Sequence, residues 1–284
     1  MKTADEPLGD PIIRVGVQPY LTARPLVKKL DTLAPDIHII TDTPRQLTNL
    51  LSEGQLDVAL IPLLTALRKP ELAILPDISI STKGPDKHAV IFSKVAISDI
   101  KTILVDRSSI NAIGILRALF RIRWSMQPVE VLSSKPIEPD YPFLERDYDA
   151  YMVIGDNVLK INTDFEYVVD IGEQWEQWTH LPLVHAVWGL KPGFKEGIAL
   201  DELFLESKKL GLEQLDEIAA EASQETGIEK SACLDALKAT CFDLGEAEFK
   251  GIERFHYFLQ ELKICEPSVE LNIYKDDRFE KRIL

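Results

Sequence analysis

The strongest constraint on the fold is the alternation of short β-forming runs with short helical stretches over residues 12–61. Residues 12–17 (IIRVGV) carry Ile12, Val15 and Val17 and read as the first strand of a buried sheet. After a turn at 18–22, Thr22 is placed to cap a helix over 23–33, and Pro25 falls in the first turn, where its missing N–H costs nothing. Pro35 and Asp36 turn the chain into a strand at 37–40, and 44–51 reads as a short helix. Gly54 stands where a helix terminates, and residues 57–61 (DVALI) form a third, apolar strand. This β–α–β–α–β order predicts an α/β fold with a parallel sheet covered by helices on both faces.

Residues 72–75 and 78–81 read as strand pieces around Pro76 and Asp77, and 88–93 (HAVIFS) as a central strand able to cross into another lobe. A second β–α unit follows: a strand at 102–105, a helix over 110–124, strands at 129–132, 150–154 and 167–170, and a return strand at 183–189. From Phe194 the pattern becomes helical, over 197–209, 211–225, 230–241 and 248–262, with Gly211, Gly227 and Gly245 as separators and a weak strand at 271–274. The order suggests one lobe inserted in another. Residues 1–11 form a lead-in, 12–93 with 190–284 form lobe 1, and 94–189 form lobe 2, with hinges near Ser93 and Leu190.

Charge and motif content narrow the function classes. The net charge of −14 opposes nucleic-acid binding, which needs a basic face. Cys233, Cys241 and Cys265 are odd in number and widely spaced, which fits a reducing compartment and gives no metal spacing. The start, MKTADEPLGDP, has no apolar core of a secretory signal, and no run of about eighteen apolar residues points to membrane insertion. Phosphate-loop and dinucleotide fingerprints are missing, so no cofactor and no metal are expected. Homo-oligomerisation is left open.

Several loops could bind a small anion. A strand running into a helix start aims backbone N–H groups above the sheet, and Arg24 adds a charge-assisted donor; an ordinary β–α turn reads equally well. The run Ser81-Thr82-Lys83-Gly84, with Lys87 and His88, forms a second donor set. Ser108 and Ser109, before the helix at 110, form a third, or simply an N-cap. Gly155 permits close backbone approach, Asn157 offers an amide to a ligand hydroxyl, and Asp156 serves as ligand group or helix cap. His88 is the histidine placed to act as acid or base, whereas His185, on an apolar strand, reads as core. Tyr20 is placed to stack on a ring. Tyr151, Trp175, Trp178 and Trp188 read first as packing residues.

Taken in order, PYLTARPL, LLSEGQLDVALIP, ILPDISISTKGP, VDRSSINAIGILRALF, VIGDNVL and DIGEQWEQWTHLPLVHAVWGL resemble the menaquinone-biosynthesis MqnA/MqnD family. The tryptophan-rich last segment is nearer the chorismate dehydratase (MqnA) type. The resemblance implies a bilobal periplasmic-binding-protein-like fold of type II, two parallel or mixed sheets flanked by helices with a cleft between lobes, in a cytoplasmic enzyme. It implies a hydro-lyase converting chorismate to 3-[(1-carboxyvinyl)oxy]benzoate in the futalosine route, with a small dicarboxylate as its partner. The MqnD type acts later in that route, on cyclic dehypoxanthine futalosine. A non-catalytic solute-binding module of the same fold is the alternative. On this reading Thr22, His88 and Asn157 are catalytic, and Tyr20, Arg24, Ser81, Lys83, Ser108, Ser109, Gly155 and Asp156 bind substrate. The chain departs from the family at Thr22, where relatives usually have asparagine, and at His88, near where they commonly have serine.

Overall fold

A computed structural model describes residues 13–85, 87–107, 110–161, 164–194, 200–275 and 278–284. In chain order, β1 (Ile13–Val17) leads through a 3-10 turn at Leu21–Ala23 into α1 (Arg24–Val27) and α2 (Leu30–Leu33). Then come β2 (Ile37–Thr41), α3 (Pro44–Ser52), β3 (Val58–Pro62), α4 (Leu63–Arg68) and the long β4 (Ala73–Thr82). The middle of the chain holds β5 (Ala89–Ser93), β6 (Thr102–Val105), α5 (Ile110–Ala118), β7 (Val129–Leu132), β8 (Ala150–Ile154), β9 (Tyr167–Asp170), α6 (Ile171–Thr179) and β10 (Leu183–Leu190). The remainder is α7 (Leu200–Leu212), α8 (Leu215–Thr226), α9 (Lys230–Ala239), β11 (Thr240–Cys241), α10 (Glu246–Glu261), β12 (Glu270–Lys275) and β13 (Arg278–Ile283).

Two sheets organise these elements. The larger has the order β13-β12-β4-β10-β3-β1-β2, with β11 on β4, and the smaller has the order β7-β6-β8-β5-β9. Strand β1 runs parallel to β2 and β3, as the alternating pattern requires, because each crossover carries a helix. Strand β10 lies antiparallel between β3 and β4, so the sheet is mixed rather than parallel. Every residue of β3, β5, β8 and β10 is buried, which explains why these strands read as continuous apolar runs.

The sheet boundaries differ from the lobe limits read from the sequence. Strand β5 belongs to the smaller sheet and β10 to the larger. The chain therefore crosses between sheets at 83–88 and at 180–182, several residues before each expected hinge. A run buried on both faces carries no mark of which sheet it joins. The strand pieces around Pro76 form one strand, β4, which accommodates Asp77 at φ +62°. The helix expected over 23–33 is broken at Lys28 and Lys29, and the one over 110–124 ends in a π turn at Leu119–Arg123. Gly211 does not separate helices. It lies inside α7, where a Cβ would sit 1.8 Å from the Pro25 carbonyl oxygen, so glycine lets α7 press onto α1.

One apolar cluster joins the sheets. It includes Leu63 and Leu64 of α4, Ile115 and Leu116 of α5, Trp175 of α6, Val187 of β10, and Phe255 and Leu259 of α10. The Trp175 indole donates to the Pro182 carbonyl at 3.2 Å, and Trp178 stacks on Phe258 with ring centroids 4.1 Å apart. Beneath the larger sheet, Asp57 ties β1, β3 and the end of β10 together. Its carboxylate accepts from the Arg14 guanidinium at 2.9 Å and from the Lys191 ammonium at 2.6 Å. Burial pushes the Asp57 carboxyl up, but these donors outweigh it and hold the pKa at about 2.

Candidate active site

The ends of β1, β3 and β8, the starts of α3, β5 and α5, and the middle of β4 and β10 meet around one hollow. Its walls are Gln18, Tyr20, Thr22, Pro44, Pro62, Ile80, His88, Asn111, Ile154, His185 and Ala186. Parallel strands β1 and β3 both finish there, the position where open α/β sheets hold ligands. The hollow and its open mouth together span about 420 Å3 of atom-free space. Only about 20 Å3 of it admits the centre of a water molecule, room for one or two waters. A ring bearing two carboxylates needs more room than this.

Asn111 is committed: its carbonyl accepts from Leu64 N–H at 3.1 Å, and its amide donates to the Val184 carbonyl at 3.2 Å. The Gln18 amide donates to the Leu60 carbonyl at 3.0 Å. The Thr22 hydroxyl, in the 3-10 turn, the imidazoles of His88 and His185, and Tyr20 are the other polar groups of the wall. The His88 and His185 rings lie 4.5 Å apart between centroids, tilted by 48°, and Tyr20 meets His88 edge-on at 6.2 Å.

Gly155 and Asp156 shape the hollow from behind. Gly155 has φ +63°, and a Cβ there would come within 2.9 Å of the Tyr20 ring. Asp156 caps the turn after β1 rather than its own segment: both its oxygens accept from Leu21 N–H, at 3.0 and 3.1 Å. Burial raises the Asp156 carboxyl above the usual carboxylate range, against the opposing pull of the Leu21 N–H, Arg24 and Lys160.

Thus Tyr20, Thr22 and His88 come together, with Gly155 and Asp156 supporting them. Other residues named from the sequence lie elsewhere. Thr22 does not cap a helix, since the residue at that cap is Ala23. Arg24 pairs with Glu225 of α8 at 2.6 Å, beside the Lys28–Glu221 pair, and so joins α1 to α8. Ser81 is fully buried and donates to the Cys241 carbonyl at 3.3 Å, and Lys83 is exposed on the turn after β4. The Asn157 amide donates to the Ile137 carbonyl at 3.2 Å and does not line the hollow. Ser108 and Ser109 lie outside the described residues. Tyr151 and Trp188 are core residues: the Tyr151 phenol donates to the Phe143 carbonyl, and Trp188 packs on Phe204.

Sequence reasoning missed the cations. A wider groove shares Pro44 and Pro62 with the hollow and carries Arg45, Arg107 and Lys135 over a floor that includes Ile110, Ile113 and Leu132. His185, read from the sequence as core, is buried and also lines the hollow; its neighbours Val184 and Ala186 pair with consecutive β4 residues, Ser81 and Ile80. His185 is therefore the extra residue of a β-bulge, the device by which a strand re-aims a side chain. Nothing in the run LVHAVWG signals a bulge.

Two mixed sheets flanked by helices, with a hollow where they meet, define the periplasmic-binding-protein-like fold of type II. Solved structures agree. Protein AF1704 from Archaeoglobus fulgidus superposes with a TM-score of 0.67 at 17% identity, covering 89% of this chain and 98% of that one. The periplasmic aliphatic sulphonate binding protein SsuA from Escherichia coli superposes with a TM-score of 0.66 at 14% identity, covering 95% and 96%. The menaquinone-biosynthesis family profile matches residues 13–261, and the chain belongs to that family. A chorismate dehydratase from Thermus thermophilus is 24% identical, with 76% of this chain and 84% of that protein covered. The chain is accordingly an enzyme of the menaquinone-biosynthesis type. No helix among the described residues is long and apolar enough to cross a membrane.

Proposed function

We propose that the chain is a cytoplasmic chorismate dehydratase, a carbon–oxygen lyase forming 3-[(1-carboxyvinyl)oxy]benzoate in the futalosine route to menaquinone. The observation that carries this reading is the family match over residues 13–261. The hollow lined by Tyr20, Thr22 and His88 supports it. Chorismate carries two carboxylates, an allylic hydroxyl and an enol ether. Loss of a ring proton and the hydroxyl makes an aromatic ring, so the step runs downhill and calls for no redox cofactor. The site has to hold two negative charges, exclude water and manage one proton. Arg45, Arg107 and Lys135 draw the dianion toward the groove, Thr22 donates to a carboxylate, and Tyr20 covers the ring. Closure of the sheets over the substrate strengthens each of these contacts.

The test is incubation of the purified protein with chorismate, followed by mass spectrometry. Product lighter than chorismate by one water is expected. No product across several pH values overturns the assignment, and tight binding without turnover would indicate a solute-binding module. A related enzyme acting on another small carboxylated substrate is favoured by one observation: Thr22 and His88, the two departures from the family pattern, both line the hollow. The double variant Thr22→Asn with His88→Ser decides it. Chorismate turnover that appears only in the double variant supports the changed substrate, and unchanged preference for chorismate removes it.

A further inference from the structure

We propose that the groove beside the hollow is a second ligand site, which takes an aromatic carboxylate: a flat apolar ring system carrying a negative charge. The inference goes beyond the dehydratase reading and does not rest on it. Charge is the first observation. In a chain of net charge −14, the described lining of this groove holds Arg45, Arg107 and Lys135 and no carboxylate. All three cations are exposed, and among the described residues none of them forms an ion pair, whereas Arg14, Arg24, Lys28, Lys191 and Lys208 each meet an acid. Carboxylates near them in sequence are turned to backbone: Asp42 accepts from Thr43 N–H at 2.6 Å, and Asp106 from Ile137 N–H at 2.9 Å. The start of α3, a helix of 9 residues, adds the positive end of its dipole. Unpaired charges of one sign, gathered on a chain of the other sign, attract an anion.

The floor decides what kind of anion. Ile110 and Leu132 are 37% and 50% exposed, among the few large apolar side chains left open to water, and both lie in the groove with Ile113. Covering them with an apolar ring is favourable, and a hydrated inorganic anion gains nothing from them. The groove offers about 570 Å3, within the range that small-molecule sites occupy. Its walls come from both halves of the molecule: Arg45 stands at the start of α3, which follows β2 of the larger sheet, and Ile110 starts α5, which follows β6 of the smaller. An occupant therefore touches elements of both. Among the described wall residues, the groove and the hollow share Pro44 and Pro62 alone. The two spaces are neighbours, and filling one does not fill the other.

The test titrates the full chain with naphthoate by calorimetry. Two controls run beside it: naphthalenemethanol keeps the rings and lacks the charge, and acetate keeps the charge and lacks the rings. Naphthoate is expected to bind at a site that weakens as salt rises, with each control about tenfold weaker or more. The double variant Arg45→Gln with Lys135→Gln should weaken naphthoate about tenfold or more, since hydrogen bonds to charged groups are lost. Leu132→Thr, a β-former at an exposed edge position, should weaken it several-fold without disturbing the strand. Thr22→Val, in the hollow, should leave this site intact. Absence of binding at about 1 mM naphthoate overturns the proposal. So does binding that the groove variants retain, binding that Thr22→Val abolishes, or equal affinity for naphthalenemethanol. No turnover enters the measurement, so a chain inactive on chorismate can bear out the groove, and a chain active on chorismate can refute it.

Discussion

The carboxylate of Asp156, beyond the end of β8 in the smaller sheet, accepts the backbone N–H of Leu21, beyond the end of β1 in the larger. One bond, spanning 135 positions of sequence, thus fixes the turn that carries Tyr20 and Thr22. Asp156→Ala leaves the Leu21 N–H without its acceptor and should cost about 1–3 kcal/mol in denaturant unfolding. Asp156→Asn keeps one carbonyl acceptor and removes a charge whose burial raises its pKa. It should be close to neutral in stability. The sign follows from that raised pKa: the folded state favours the protonated acid, so the ionised group costs stability as pH rises through its unfolded value. The advantage of Asp156→Asn over wild type should therefore grow from acid toward neutral pH. Equal losses for both variants would show that the carboxylate charge itself is needed.

Gly155 carries a second constraint on the same corner. At φ +63°, with the Tyr20 ring 2.9 Å from any added Cβ, alanine is strained and displaces the ring. Gly155→Ala should cost about 1–2 kcal/mol from the left-handed backbone alone. It should also lower kcat/KM by disturbing Tyr20. Melting temperature and steady-state kinetics check the two effects separately, and a variant with normal stability and normal kcat/KM contradicts the role given to this contact.

Asp57 sets an acid limit on the fold. Its pKa of about 2 in the folded protein lies below the ordinary 3.8, so its stabilisation is present above the unfolded value and is lost as pH falls through the folded one. The shift corresponds to about 2 kcal/mol, lost between roughly pH 4 and pH 2. Asp57→Asn should flatten this part of the stability–pH curve while destabilising the protein at neutral pH, since Arg14 and Lys191 lose their shared partner. Urea titrations at several acid pH values measure it.

The groove cations should act on capture rather than chemistry. Replacing Arg45 and Lys135 together by glutamine should lower kcat/KM for a dianionic substrate several-fold, leave kcat nearly unchanged, and weaken the salt dependence of kcat/KM. A fall in kcat of the same size would place these side chains at the reacting atoms instead.

The parts legible in the sequence are those set by local pattern. The β1–α3–β3 alternation, the helices after residue 200 and the loop holding Tyr20 and Thr22 follow from periodicity and turn residues read over short windows. What local pattern does not carry is partnership between distant segments. The sequence offers Arg24 as a ligand donor, but α8 presents Glu225 to it; it offers Asp156 as ligand group or cap of its own segment, but the turn after β1 brings Leu21 to it. The Ser81 hydroxyl was spent on the Cys241 carbonyl of a strand 160 residues away. His185 was hidden by a different cause: in a strand buried on both faces, alternation cannot separate a core side chain from one that a bulge turns into a pocket.

On the dehydratase reading, the hollow between the sheets receives the substrate. The most direct measurement is a crystal structure of this protein with 3-[(1-carboxyvinyl)oxy]benzoate bound. The ring is expected under Tyr20, with a carboxylate within hydrogen-bond reach of Thr22 and the ring edge beside His88 and His185. The ligand lying in another cavity, with those four side chains untouched, would contradict it.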